Sequence, residues 1–110
     1  MSLAVVYISI GNSDDKLSQA DWHRYYTEVA RAVQRAASAT LGQLHGQWVS
    51  EPASAFQNAC WALQLPVDVA SIEHLKMRLA ELAGQFGQDS IAWAVAPDTE
   101  FIVPPLGSPS

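Results

Sequence analysis

"LAVVYISIGNSDDKLSQADWHRYY", residues 3–26, changes from a strand pattern to a helix pattern within a few positions. The opening part, "LAVVYISI", is rich in β-branched and aromatic residues, which is typical of a buried strand. Gly11 ends this strand. Ser18 and Asp21 resemble a capping box in which Asp replaces the usual Glu. The stretch therefore predicts a strand followed by a helix that begins near Gln19.

Apolar residues spaced by three and four positions predict two helices. The stripe of the first helix comprises Trp22, Tyr26, Val29, Val33 and Ala36. The stripe of the second comprises Ile72, Leu75, Leu79, Leu82 and Phe86, and Gly87 suits the position just past its end. Further strands are predicted at 41–50, 56–65 and 90–96.

The resulting order, β-α-β-β-α-β, predicts an α+β domain of ferredoxin-like build, with two helices on one face of a four-stranded antiparallel sheet. Right-handed connections place the first and third strands at its centre. "TEFIV", residues 99–103, favours a short fifth strand that either extends the sheet or crosses to another subunit. We expect one domain over residues 1–103 and a flexible tail over residues 104–110, which are rich in Pro, Gly and Ser.

The composition narrows the classes of function. The 110 residues are 49% hydrophobic and 15% charged, and the net charge of −5 disfavours a nucleic-acid partner, which needs clustered Lys and Arg. Cys60 is the only cysteine, so no internal disulfide can form and a cytoplasmic location is expected. No apolar run reaches the roughly 18 residues of a membrane span, so no membrane partner is expected.

Strand alternation predicts what the side of the sheet without helices would show. Large side chains are expected beneath the helices: Val6, Ile8, Ile10, Trp48, Trp61 and Trp93. The opposite side would show small, neutral-polar and a few apolar groups: Val5, Tyr7, Ser9, Gln43, His45, Gln47, Val49, Asn58, Cys60, Ala62, Ala92 and Ala94. We expect a homodimer through this side. His45 and Cys60 would also lie close together there, but a flat sheet gives a Cys-His pair no cleft for catalysis.

The polar segment between the first strand and the first helix is a second candidate site. It contains Asn12, Ser13, Asp14, Asp15 and Lys16. A carboxylate here could hold Mg²⁺, with Lys16 meeting a phosphate. The same residues also suit a turn, because Asn, Ser and Asp bond to their own backbone and acidic groups favour a helix N-terminus. We therefore expect no resident cofactor, with Mg²⁺ considered only if this segment binds phosphate.

Several short motifs resemble known proteins. "IGNSDDKL", "HGQW" and "QNACW" are similar to stretches in small actinobacterial and actinophage proteins of ferredoxin-like build, a resemblance that implies no known activity. "DDK" after a first strand resembles the Cas2 proteins of CRISPR adaptation. Those proteins carry an acidic residue at the strand end itself, where this chain has Ile10 and Gly11, so no catalytic residue is carried over.

The sequence thus favours a small cytoplasmic homodimer that regulates by protein-protein contact, a role that suits a phage or other mobile element. One alternative is a metal-dependent phosphoryl-transfer or nuclease-like enzyme using residues 11–16. Another is a small-molecule-binding dimer of the same fold. No strong catalytic motif is present, so a non-enzymatic role is preferred.

Overall fold

A computed structural model describes residues 3–12, 16–51, 54, 56–66 and 69–107 of the chain, with Val69 described by its backbone only. Ser13, Asp14 and Asp15 of the polar segment therefore lie outside the described residues. The elements, in chain order, are β1 (Leu3–Gly11), α1 (Gln19–Ala39), β2 (Gln43–Val49), β3 (Asn58–Pro66), α2 (Val69–Gln85) and β4 (Ala92–Ala96).

The helix ends form where local chemistry dictates. Ser18 caps α1, its hydroxyl accepting a hydrogen bond from the Asp21 amide at 3.2 Å, which confirms the predicted start at Gln19. At the other end of α1 the Gly42 amide donates to the Ala37 carbonyl at 2.7 Å, and the chain turns through Leu41 with φ of 57°. Gly87 takes the equivalent left-handed position after α2, with φ of 65°.

The sheet confirms the predicted fold. Its strand order is β2-β3-β1-β4, with β1 and β3 at the centre and every pairing antiparallel. The optional fifth strand is not formed, since residues 97–105 carry no strand structure. Pro97 directly follows β4 and cannot donate a ladder hydrogen bond, which is one reason that the sheet ends there.

The core lies between the sheet and the two helices. β1 contributes Val6, Ile8 and Ile10, and β3 contributes Trp61, Leu63 and Leu65, all of them buried. The helices contribute the buried residues Trp22, Tyr25, Val29, Ala32, Val33, Leu75, Leu79 and Leu82. Tyr25 occupies the central position expected for its neighbour Tyr26, which is only partly buried against the core.

A β-bulge in β2 changes which side chains the strand presents on each side. Leu44 lies opposite Leu63, but the next pair is Gly46 opposite Ala62, so His45 is an extra residue. A one-residue slip moves every later side chain to the other side of a sheet.

The bulge overturns three predictions. Trp48 lies opposite Cys60, on the side away from the helices, and is 55% exposed rather than buried beneath them. Gln47 and Val49 lie opposite the buried residues Trp61 and Ala59, on the helix side. The Trp61 indole N–H donates to Gln47 Oε1 at 3.0 Å, which ties the edge strand to the core.

Candidate functional site

The side of the sheet away from the helices, here called the open face, consists of three rows that each cross all four strands. Row 1 contains Trp48, Cys60, Ser9 and Ala92. Row 2 contains Gly46, Ala62, Tyr7 and Ala94, and row 3 contains Gln43, Gln64, Val5 and Ala96. None of these twelve residues carries a formal charge at neutral pH.

Two aromatic side chains project from the open face, where many of the surrounding side chains are small. Tyr7 is 45% exposed at the centre of β1, and Trp48 is 55% exposed on the edge strand β2. The neighbouring residues Ala92, Ala94 and Gly46 have small side chains or none. Exposed aromatic groups on an uncharged surface are typical of the central part of protein-protein interfaces.

Tyr7 and Cys60 interact across neighbouring strands. A hydrogen bond with the Cys60 side chain raises the pKa of Tyr7 above its ordinary value of 10.0, with smaller contributions from the electrostatic interaction with Cys60 and from desolvation. The phenol is neutral at physiological pH even at its ordinary pKa, and the raised pKa extends this range. This keeps the centre of the open face without charge.

Most of the residues predicted for this face lie on it. Tyr7, Ser9, Gln43, Cys60, Ala92 and Ala94 belong to the rows, and Asn58 extends the same side of β3 beyond row 1. His45 borders the face at row 3, beside Val5 and Gln64. It is therefore not the neighbour of Cys60, whose partner in β2 is Trp48, and the two do not form a Cys-His pair.

The predicted set lacked four residues of the face. Alternation placed Trp48 and Gly46 on the wrong side because of the bulge, whereas Gln64 and Ala96 follow from alternation and extend the row through Val5. The sequence offers one signal for the bulge. A glycine inside a strand often marks a bulge, and Gly46 directly follows the extra residue.

The described part of the polar segment serves the fold. Asn12 is 2% exposed, and its amide nitrogen donates to the Leu17 carbonyl at 3.0 Å and to Gln57 Oε1 at 2.9 Å. Its amide oxygen accepts from the Leu17 backbone at 3.0 Å, and Gln57 donates onward to Gln19 at 2.7 Å. These hydrogen bonds of Asn12 link the connection before α1 to the residues before β3. Because the Asn12 amide already makes them, it is not available to a ligand.

Lys16 lies at the same end of the sheet. Its ammonium group forms an ion pair with Asp89 at 3.4 Å, which links the connection before α1 to the connection before β4. Within the described ranges no three His, Cys, Asp or Glu residues come together as a metal site. Among the same residues, no helix has the length and apolarity needed to cross a membrane.

A cavity of about 530 Å³ lies between α2 and β4. Its walls are mainly apolar, formed by Leu79, Ala83, Ile91 and Trp93. The Lys76 ammonium lies 5.4 Å from the centre of the Trp93 ring, a cation-π distance. The size is within the range of small-molecule sites, and the lining carries both signs of charge, because Asp89 also borders the cavity and Lys76 pairs with Glu73 at 3.6 Å.

The segment that follows β4 passes the open face and then leaves the domain. Pro97, Asp98, Thr99 and Phe101 line a depression together with Leu3, Val5, Gln64 and His45 at row 3. From Phe101, at the edge of this depression, the apolar side chains have almost no cover: Phe101, Ile102 and Val103 are 84%, 93% and 74% exposed, and Leu106 is fully exposed. Residues 101–106, "FIVPPL", are called the apolar arm below.

Comparison with known proteins supports the fold alone. No family model matches the chain, and no curated protein is similar to it in sequence. The C-terminal domain of the MgtC protein from Mycobacterium tuberculosis is similar in structure, with a TM-score of 0.53, 16% identity, and coverage of 91% of this chain and 93% of that one.

Two further solved structures agree. The de novo designed protein Foldit4 has a TM-score of 0.54 at 11% identity, over 88% of this chain and 97% of that one. A dimeric ferredoxin-like protein from an uncultured marine organism has a TM-score of 0.50 at 6% identity, over 96% of this chain and 95% of that one. The chain is thus a ferredoxin-like α+β domain.

Proposed function

We propose that the protein is a small cytoplasmic homodimer that acts by protein-protein contact through its open face. The observation that carries this proposal is the uncharged face on which Tyr7 and Trp48 stand partly exposed. A sheet side that is left without helices and lacks charge is stabilised when a second copy covers it. A ferredoxin-like protein of similar structure is described as dimeric, which supports a dimer but no particular contact face.

The chemistry of the face favours a protein surface over RNA as its partner. Aromatic groups on such a sheet can stack bases, but RNA-binding sheets also carry basic groups for the phosphates. The rows contain no Lys or Arg. The resemblance to actinophage proteins supports a regulatory module carried by a phage or other mobile element.

Introducing a charge at the open face tests the proposal. Ala92→Arg places a guanidinium in row 1, and Ala39→Arg makes the same change at an exposed position on α1. We expect sedimentation equilibrium to show a dimer for the parent chain and for Ala39→Arg, but a monomer for Ala92→Arg. A folded Ala92→Arg variant that dimerises as tightly as the parent chain would place the dimer contact elsewhere.

A second candidate function is small-molecule binding at the cavity between α2 and β4. The observation that favours it is the Trp93 ring, partly buried in the wall with Lys76 beside it. Gly84 lines the same cavity, and a Cβ added there meets no atom within 4 Å. Gly84→Leu should therefore narrow the cavity without disturbing the helix.

The fluorescent anion anilinonaphthalene sulfonate is a suitable probe for this cavity. We expect it to bind the parent chain and the Trp48→Ala variant equally, because Trp48 lies on the other side of the sheet, and to bind Gly84→Leu more weakly. Equal binding to all three chains would show that the probe binds elsewhere and would remove the support for this candidate.

A further inference from the structure

The apolar arm is an unusual feature for a domain of this size. Four large apolar side chains of the arm are at least 74% exposed, although the segment before them already runs beside the open face. The protomer's own face therefore does not cover them. The radius of gyration is 16.3 Å, against about 13 Å for a compact chain of this length, as expected if the arm extends from the domain.

The sequence of the arm keeps it extended. Ile102 and Val103 are β-branched, and Pro104 and Pro105 fix their own φ angles and favour a polyproline conformation. The chain turns only at the end of the arm, at Leu106 and Gly107, where Gly107 has φ of 83°. The arm is preorganised to reach another surface, and it loses less conformational entropy on binding than a Gly/Ser-rich tail would.

The area of the open face indicates that dimerisation needs more surface than the rows provide. Four strands about 4.8 Å apart and three rows about 7 Å apart give a patch of roughly 400 Å² per protomer. A standard stable interface buries about 800 Å² of accessible surface per partner, a measure that follows side-chain contours and exceeds the flat area of the same patch, so the rows supply more than half of it. Four apolar side chains that bury about 60–120 Å² each would bring the total to roughly 650–900 Å².

Symmetry then indicates where each arm would lie. Two open faces can stack about a two-fold axis along the strands, which would bring the apolar arm over the polar Gln43 and Gln64 of row 3. They can also stack about an axis across the strands, which brings row 3 of one protomer over row 1 of its partner, and an apolar arm favours this second arrangement. The arm leaves its own domain near row 3. It would therefore meet the partner's row 1, where Trp48 is exposed and Cys60 is adjacent to it in β3.

We propose that the arms are exchanged in the dimer, so that residues 101–106 of each protomer pack on row 1 of a second copy, beside its Trp48 and Cys60. This inference rests on the proposed homodimer and adds the segment that completes its interface. Each face is then covered by the partner's sheet and by the partner's arm.

The only cysteine of the chain provides a direct test. One chain keeps Cys60 and carries a size tag, and the other carries Cys60→Ala with Ile102→Cys. Under mild oxidation we expect the mixed pair to form a disulfide between the two chains. The matched control carries Cys60→Ala with Met77→Cys, which places the thiol on an exposed position of α2, and should give no cross-link.

Charge in the arm tests its contribution to affinity. We expect the Ile102→Asp/Val103→Asp variant to raise the dimer dissociation constant at least about tenfold, while Met77→Asp leaves it unchanged. A dimer that neither cross-links through residue 102 nor responds to the charged arm would overturn the exchange and leave the homodimer in place. A cross-link within one chain carrying Cys60 and Ile102→Cys, with none between chains, would also overturn it. A parent chain that is monomeric at high micromolar concentration would overturn both proposals.

Discussion

Replacing Tyr25 with Phe tests whether the buried Tyr25 hydroxyl destabilises the core. Tyr25 is 1% exposed between Trp22 and Phe86, with ring centres 6.3 Å and 5.1 Å away, and its hydroxyl has no hydrogen-bond partner among the described residues. A buried polar group without a partner costs about 1–3 kcal/mol. We therefore expect Tyr25→Phe to raise the free energy of unfolding at neutral pH by about 1 kcal/mol.

The pH dependence of stability gives a second, independent magnitude. Burial raises the pKa of Tyr25 from its ordinary value of 10.0 to about 12. The core disfavours the charged phenolate, so the folded state is favoured while Tyr25 is neutral. The contribution of Tyr25 to the free energy of unfolding is therefore fully present below about pH 10 and is lost as the pH rises through about 12. At about pH 11 the parent chain should have lost about 1.4 kcal/mol through this residue, and above pH 12 about 2.7 kcal/mol.

Urea denaturation followed by circular dichroism at neutral pH and near pH 11 measures both effects. The free energy of unfolding should fall between neutral pH and pH 11 in both chains. The decrease should be about 1.4 kcal/mol smaller for Tyr25→Phe than for the parent chain. Tyr26→Phe, on the same helix but only partly buried, is the matched control for general alkaline destabilisation. Equal losses in the parent chain and Tyr25→Phe would refute the reasoning, because the hydroxyl would then be solvated or bonded in solution.

Three further outcomes are expected. Leu41 has φ of 57° and its side chain is 93% exposed, so Leu41→Gly should raise the free energy of unfolding by about 0.5–1 kcal/mol in urea denaturation. Leu41→Ala keeps the strained left-handed backbone and should bring no gain. Asn12→Ala should destabilise by about 1–3 kcal/mol in the same assay by removing the buried bonds to Leu17 and Gln57; an unchanged midpoint would contradict the structural role of Asn12. Millimolar Mg²⁺ or Mn²⁺ should leave the melting temperature unchanged, and a rise abolished by Asp14→Ala with Asp15→Ala would instead favour the phosphoryl-transfer alternative.

Local patterns were sufficient to predict the fold. Periodicity predicted both helices, and the capping residue Ser18 predicted the start of the first. Two features depend on contacts between distant parts of the chain and could not be predicted in this way. From the sequence alone, Asn12 suits either a turn or a ligand site. Its structural role depends on the hydrogen bond to Gln57, which lies 45 positions later in the chain. The choice of Tyr25 over Tyr26 depends on Phe86, the residue that follows α2, whose ring lies beside Tyr25.

The candidate site was predicted less well because one extra residue governs it. Alternation predicted the correct side for β1, β3 and β4, which are regular in their pairing with one another. It failed in the edge strand β2 after His45, where Gln47 and Trp48 exchanged sides. Gly46 was the only local signal, and a glycine in a strand has several other readings.

The bulge also has an evolutionary consequence. β2 is paired only with β3, so a one-residue insertion or deletion in it shifts no other strand of the sheet. Loss of His45 would leave a regular strand in which Leu44 and Gly46 lie opposite Leu63 and Ala62, so Trp48 would stay on the open face and Gln47 on the helix side. A bulge in an edge strand can therefore absorb a one-residue change in length while the aromatic contact surface and the core stay as they are.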